Sequence, residues 1–334
     1  MTSALVDPIV KRPLVWLFSG MASQWNRMGV DLLEVKLFKE TIERCYTILA
    51  TKNLDLMNII TTNDKQIFEN VVNSFVGIGA VQIGMINLLR EIGVEPEFLI
   101  GISFGEVATA YADGCITEKQ AILSAYYRGL VILEGSTIKG GMAFIGLSQN
   151  ELKKVIPEDL DEATHVDPNT CSVSGPKESV EAFVAKIKKQ NRYTAILNTS
   201  NVAFHSRYIA HLAPNLRKQL ESVIPDPQPR SQKWLSSSVL YDNWSKPNAK
   251  LCSGEYLANN FQGCVYIEET CKLCPKNSII LEIAPTSLLQ TTMKNNFPEG
   301  QSVYVRIGDK EKENARDVFL EALKTLSQNG VNVD

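Results

Sequence analysis

Short apolar runs alternate with helix-period patterns along most of the chain. Leu14 to Phe18 is wholly apolar and stops at Ser19-Gly20, which reads as a buried strand entering a turn. A helical pattern follows from Ser23 onward. Phe75 to Arg90 is apolar almost all round, as expected of a helix in the centre of a core. Glu97 to Ile102 reads as a second short buried strand, and further helices are expected from Glu106 and over Glu118 to Glu134. Apolar strands alternating with helices predict an α/β fold with a mainly parallel sheet.

The pattern changes near residue 140. Strands fit Gly141 to Leu147, Ala163 to Val166, Cys171 to Ser174 and Tyr193 to Leu197, with helices over Gln149 to Val155 and Pro176 to Gln190. The order β-α-β-β-α-β within about 60 residues is the ferredoxin-like signature. Residues 140–199 are therefore expected to form a small inserted subdomain, with 12–139 and 200–334 making the larger one. Ile279 to Ile283 and Val303 to Ile307 supply later strands, and Asn314 to Gln328 a closing helix.

Composition narrows the function classes. Apolar residues are 44% of the 334, enough for a sizeable core. Lys plus Arg is 34 against 37 Asp plus Glu, and this near-balance leaves no electrostatic footprint for nucleic acid. The longest apolar stretch, Phe75 to Leu89, is about 15 residues, shorter than a bilayer span, so no membrane partner is expected. The first eight residues carry no leader pattern, and seven cysteines, an odd number, read as reduced thiols. Both point to a cytoplasmic location. Cys271 and Cys274 have C-x-x-C spacing but no companion pair, and are read as buried structural residues rather than metal ligands. The sequons at Asn198 and Asn243 would stay unused in that compartment.

The chemistry concentrates at Gly101-Ile-Ser-Phe-Gly105, a G-x-S-x-G pentapeptide between an expected strand and helix. A sharp strand-to-helix turn lifts the Ser103 hydroxyl clear of the sheet, and the helix N-terminus offers free N–H groups to a developing oxyanion. A serine nucleophile needs a general base. Of three histidines, His205 leads, because it sits in a loop after an apolar strand-like run and a short turn, Asn198 to Phe204, and before a helix expected over Ser206 to Leu220. His165, in the small subdomain, and His211 are the alternatives. Arg128 shares the apolar face of its helix with Ala121, Ala125 and Ile132. A buried guanidinium needs an anion, either an internal Asp or Glu or a substrate carboxylate.

These residues, together with Phe18-Ser-Gly-Met-Ala-Ser-Gln-Trp25, Tyr111-Ala-Asp-Gly114, Tyr127-Arg-Gly129, Ala203-Phe-His-Ser206, Arg230-Ser-Gln-Lys-Trp-Leu-Ser236 and Leu281-Glu-Ile-Ala-Pro285, run in order along the chain. The set resembles the malonyl/acetyl transferase domain of animal-type fatty acid synthase. The resemblance implies an α/β-hydrolase-like large subdomain with an inserted ferredoxin-like one. It also implies a ping-pong transfer from malonyl- or acetyl-CoA, through an acyl-Ser103 ester, to the phosphopantetheine thiol of an acyl carrier protein. No tightly bound cofactor or metal is implied, and other synthase domains are expected partners. By resemblance, His205 is the base, a main-chain carbonyl at Asn260 orients its imidazole, and the N–H groups of Met21 and Phe104 form the oxyanion hole. Arg128 would bind the malonyl carboxylate, and Phe204 would bear on malonyl selection. The family usually has His where Ile102 stands, Leu at Phe104, Gly at Ala22, Asn at Val166 and Pro at Cys264. Two other classes compete: a serine esterase or thioesterase, and a degenerate domain that only scaffolds. The candidate acids for a hydrolase triad, Asp113, Glu118, Asp159, Asp161 and Asp167, have no local signature.

Overall fold

Every residue of Leu14–Phe18 is buried, because this strand lies inside a parallel sheet with a packed layer on each face. The computed structural model describes residues 12–135, 138–298, 302–312 and 314–333. The N-terminal stretch read above as lacking a leader lies outside them. The sheet order is Val303–Arg306, Ile279–Glu282, Leu14–Phe18, Phe98–Gly101. Alternate residues of the first strand serve two cores. Leu14, Trp16 and Phe18 pack with the helices Lys36–Ala50, Val71–Glu91 and Glu118–Glu134, while Val15 and Leu17 pack with Ile267, Cys271, Cys274 and Met293. Cys271 and Cys274 are thus free thiols in an apolar cluster.

The helix Val71–Glu91 corrects the length argument made from its sequence. At 21 residues it is long and apolar enough to cross a membrane, but it is buried in the protein along most of its length. Gln82, fully buried within it, donates through Nε2 to the carbonyls of Ser19 (2.8 Å) and Ile283 (3.0 Å). A buried amide is tolerated there because it ties the helix to the ends of two strands.

The small subdomain has the expected element order, with strands arranged Thr194–Leu197, Gly140–Ile145, Thr170–Pro176, Asp161–Asp167, all antiparallel. The sheet does not end at the expected boundary. A fifth strand, Val265–Tyr266, comes from the C-terminal half and pairs in parallel with Thr164 and His165. One face carries Ala143, Ile145, Cys171 and Val173 and is covered by Val180, Phe183 and Ile187 of the Lys177–Lys188 helix. The other face turns toward the large subdomain.

Two expected helices begin later than their patterns suggested. The segment after Ser23 stays in turns until Asp31–Glu34 and becomes α-helical only at Lys36, because Ala22, Arg27 and Gly29 all adopt positive φ. The segment after His205 forms a tight turn, closed by the Ser206 hydroxyl on the Ala203 carbonyl at 2.6 Å. It becomes α-helical at Ala213–Val223, with Pro214 in the first turn.

Candidate active site

The turn between Phe98–Gly101 and the helix Gly105–Ala112 is as tight as the pentapeptide demands. Ser103 has φ +55°, a left-handed conformation that costs roughly 1–3 kcal/mol for a non-glycine residue and recurs at functional sites. Both flanking glycines are required by close approach. A Cβ on Gly101 would lie 2.4 Å from the Glu106 nitrogen, and one on Gly105 would lie 2.0 Å from the Phe18 carbonyl oxygen. Because backbone cannot yield as a side-chain tip can, Gly105→Ala is expected to cost about 2–4 kcal/mol. A fall of several degrees in the thermal midpoint checks it; an unchanged midpoint would show that the turn can relax.

The turn is held from behind by Glu106, which is fully buried. Its carboxylate accepts from Trp234 Nε1 (2.7 Å), Tyr256 OH (2.8 Å) and the Ser237 N–H (2.8 Å). Burial pushes its pKa up, against the Arg230 charge and these donors. Its role was not read from the sequence, although it starts the helix after the nucleophile, where an acidic residue also suits the helix dipole.

His205 Nε2 lies 2.6 Å from Ser103 Oγ. On the other side of the ring, Nδ1 is 2.8 Å from the Gly263 carbonyl. A carbonyl only accepts, so the proton sits on Nδ1 and Nε2 is free to accept from the serine. The orienting carbonyl thus belongs to Gly263 and not to Asn260, three residues earlier on the preceding turn of backbone. Burial, then the nearby Arg128 charge, lowers the His205 pKa to about 3, against the pull of the Gly263 hydrogen bond. The imidazole is neutral at ordinary pH and available as a base.

Asn260 enters through its side chain. Its Nδ2 donates to the Ser103 carbonyl (3.0 Å) and to Ser238 Oγ (2.8 Å), and its Oδ1 accepts from Arg128 Nη1 (2.7 Å). Arg128 is buried, with Phe75 and Phe261 rings 5.6 Å and 5.2 Å from the guanidinium carbon. Its Nε and Nη2 have no hydrogen-bond partner, and no carboxylate pairs with it among the described residues. That removes the internal Asp or Glu alternative. Burial alone brings its pKa down to about 9, so it remains a cation.

The other histidines lie elsewhere. His165 is buried with Nδ1 2.6 Å from Glu269 and Nε2 3.5 Å from Glu162. Burial opposes its charge, but Cys264, Glu162 and Glu269 drive its pKa up to about 12, and it does not wall the catalytic cavity. It is an ion-paired clamp between the subdomains rather than a base. His211 is exposed in the turn Ala210–Leu212.

A cavity of about 210 Å³ opens over the serine–histidine pair. At ~30 Å³ per water it has room for a short acyl group and the thioester end, not for a whole coenzyme. The large subdomain contributes Met21, Phe75, Ile102, Ser103, Phe204 and His205, and the small one Met142, Phe144 and Ser172. Phe75 stands edge-on to Phe204, with ring centres 5.9 Å apart, and separates the cavity from Arg128. Phe104 does not reach the cavity wall. Its ring packs behind Phe75 at 4.8 Å, so its bulk supports the wall and leaves the acyl space untouched. Among the described residues, the backbone N–H groups of Met21 and Phe104 have no protein acceptor, as donors reserved for an oxyanion would not.

Residues 15–333 match the acyl transferase domain family. The chain belongs to that family. Among curated relatives, it is 28% identical to a highly reducing polyketide synthase of Purpureocillium lilacinum, over 97% of this chain and 13% of that protein. It is 27% identical to mellein synthase of Phaeosphaeria nodorum, over 99% of this chain and 18% of that protein. The chain thus spans less than a fifth of the length of these relatives. Most of the relatives are polyketide synthases, so the family shown is the acyl transferase domain of polyketide and fatty acid synthases, broader than the animal-type fatty acid synthase of the resemblance. Among solved structures, the acyltransferase domain from the second module of the salinomycin polyketide synthase superposes with a TM-score of 0.84 at 20% identity, over 97% of this chain and 75% of that one. The acyltransferase domain of the polyketide synthase PpsC of Mycobacterium tuberculosis gives 0.79 at 22% identity, over 88% and 90%. These likenesses establish the fold, an α/β large subdomain with a smaller one.

Proposed function

We propose that this domain transfers a malonyl group, and acetyl as a poorer substrate, from coenzyme A to the phosphopantetheine thiol of an acyl carrier protein. Its setting would be a chain-building synthase of polyketide or fatty acid type. The observation that carries the reading is the 2.6 Å contact between Ser103 Oγ and a neutral His205, beside a buried arginine with two unpartnered nitrogens.

Ser103 Oγ attacks the thioester carbonyl as His205 Nε2 takes its proton. The Met21 and Phe104 N–H groups receive the oxyanion of the tetrahedral intermediate. Collapse breaks the C–S bond, and the proton passes from His205 to the departing thiolate. The carrier thiol then gives its proton to His205 and attacks the acyl-Ser103 ester, and Ser103 is reprotonated as it leaves. Hydrolysis requires water in place of the second thiol, so the acceptor is what separates transferase from thioesterase.

Intact mass after mixing with malonyl-CoA is expected to show one malonyl adduct, mapping to Ser103, that persists in buffer and discharges onto a holo carrier protein. Decay at the same rate without the carrier would favour a thioesterase. Absence of any adduct would favour a scaffold.

A further inference from the structure

Two cavity-lining residues, Ser172 of the small subdomain and Ser19 of the large one, have a buried hydroxyl without a protein partner. Ser172 lies on the strand Thr170–Pro176, whose alternate residues Cys171 and Val173 point into the helix-covered core. Ser172 and Ser174 therefore point to the opposite face. The strand neighbours of Ser172 in the register are Phe144 and Thr164, and all three line the cavity. Ser172 is fully buried, and its hydroxyl has no protein hydrogen-bond partner. A buried hydroxyl left unmatched costs about 1–3 kcal/mol, so one facing a ligand cavity marks where a polar ligand group belongs.

We infer that Ser172 Oγ hydrogen-bonds the pantetheine arm of the bound thioester, at the amide nearest the sulfur. This rests on the acyl-transfer reading and extends it to substrate recognition. A thioester attacked by Ser103 projects two arms from its carbonyl carbon. The acyl arm, if it ends in a carboxylate, runs toward Arg128 in the large subdomain, behind Phe75. The sulfur arm then leaves along the other wall, formed by the small-subdomain sheet that carries Ser172. That arm is apolar for two methylenes and then presents an amide, whose N–H or C=O suits the unpartnered hydroxyl on that wall. Coenzyme A and a carrier protein share this arm, so one contact serves both half-reactions.

The test is the rate of Ser103 acylation, read by mass, with two small malonyl thioesters. One is malonyl-N-acetylcysteamine, which has the amide, and the other is S-ethyl malonyl thioester, which lacks it. Ser172→Ala is expected to slow the amide-bearing substrate about 5- to 10-fold, the size of one neutral hydrogen bond, and to leave the S-ethyl substrate within 2-fold of wild type. Ser174 is equally buried and unpartnered but lies outside the cavity wall, so Ser174→Ala is expected to slow neither. Because Ser172 bonds no protein group, its alanine variant is also expected to melt no lower than wild type. Equal slowing of both substrates, no slowing of either, or a lowered melting temperature overturns the contact. Failure of the wild type to acylate with either thioester overturns the acyl-transfer reading, and this contact with it.

Discussion

Ser103→Ala is expected to lose acyl-enzyme formation altogether and to reduce transfer to a carrier protein by about 10⁴-fold or more, the range seen when the nucleophile of a serine–histidine pair is removed. No other hydroxyl can substitute, because the left-handed φ at position 103 and the 2.6 Å contact with His205 belong to this residue. His205→Ala is expected to approach the same floor, and the double variant to fall little further, since the two act as one unit. The pH profile carries an independent signature. His205 works as a base only when neutral, and its folded pKa is lowered to about 3, first by burial and then by Arg128. The acid limb of kcat/KM is therefore expected well below the ~6.5 of a free imidazole. The sign for stability follows from the same shift. Above about 6.5 neither state binds the proton and the contribution is fully present. As pH falls toward about 3, the unfolded state takes up a proton that the folded state refuses, so stability is lost across that window. Ser103→Ala with more than a tenth of wild-type transfer, or an acid limb near 6.5, would contradict the assigned pair.

Much of this was legible in the sequence where one local rule decides the outcome. The pentapeptide specified a strand, a strained serine and a helix, and the structure has all three. The β-α-β-β-α-β order of residues 140–199 was readable because each element carries its own period. What escaped the reading depends on contacts between distant segments. The Val265–Tyr266 strand is two residues long and joins a sheet whose other strands lie some hundred residues earlier, so no period reveals it. The orienting carbonyl at Gly263 depends on how the turn after the helix Gly254–Gln262 closes, which displaces it three residues from the position inferred by resemblance. In the sequence Glu106 reads only as the start of a helix and Glu282 only as one letter of a motif. Glu282 is a buried carboxylate that accepts from the Leu288 and Leu289 N–H groups, so it pins a loop bordering the cavity. A charged residue at the end of an apolar strand, as here, is the signal that could have found it, since such a group is buried only with donors around it.

Arg128→Ala separates the substrates instead of abolishing the reaction. The expected loss in kcat/KM for malonyl-CoA is about 10²- to 10³-fold, or roughly 3–4 kcal/mol, the penalty for leaving a desolvated carboxylate without its cation. Acetyl-CoA carries no carboxylate and is expected to change less than 5-fold. The guanidinium has the means to discriminate. Asn260 takes one of its N–H groups and fixes the plane, while Nε and Nη2 are left for a bidentate acceptor. Phe75 covers it in this structure, so a malonyl tail reaches it only once that ring turns aside. Arg128→Lys is expected to recover little, because a point charge cannot reproduce the fork and Asn260 would lose its partner geometry. Two further readouts distinguish a ligand-binding arginine from a structural one. Removing a buried cation that has no anionic partner among the described residues relieves its desolvation, which offsets the lost Asn260 bond and ring contacts, so the melting temperature should fall by only a few degrees. Removing a like charge near His205 should raise the imidazole pKa, so the acid limb for acetyl transfer moves to higher pH than in wild type. Equal losses for malonyl and acetyl, together with a collapse in melting temperature, would make Arg128 a packing residue and return the question of what anion this domain selects to the walls of its cavity.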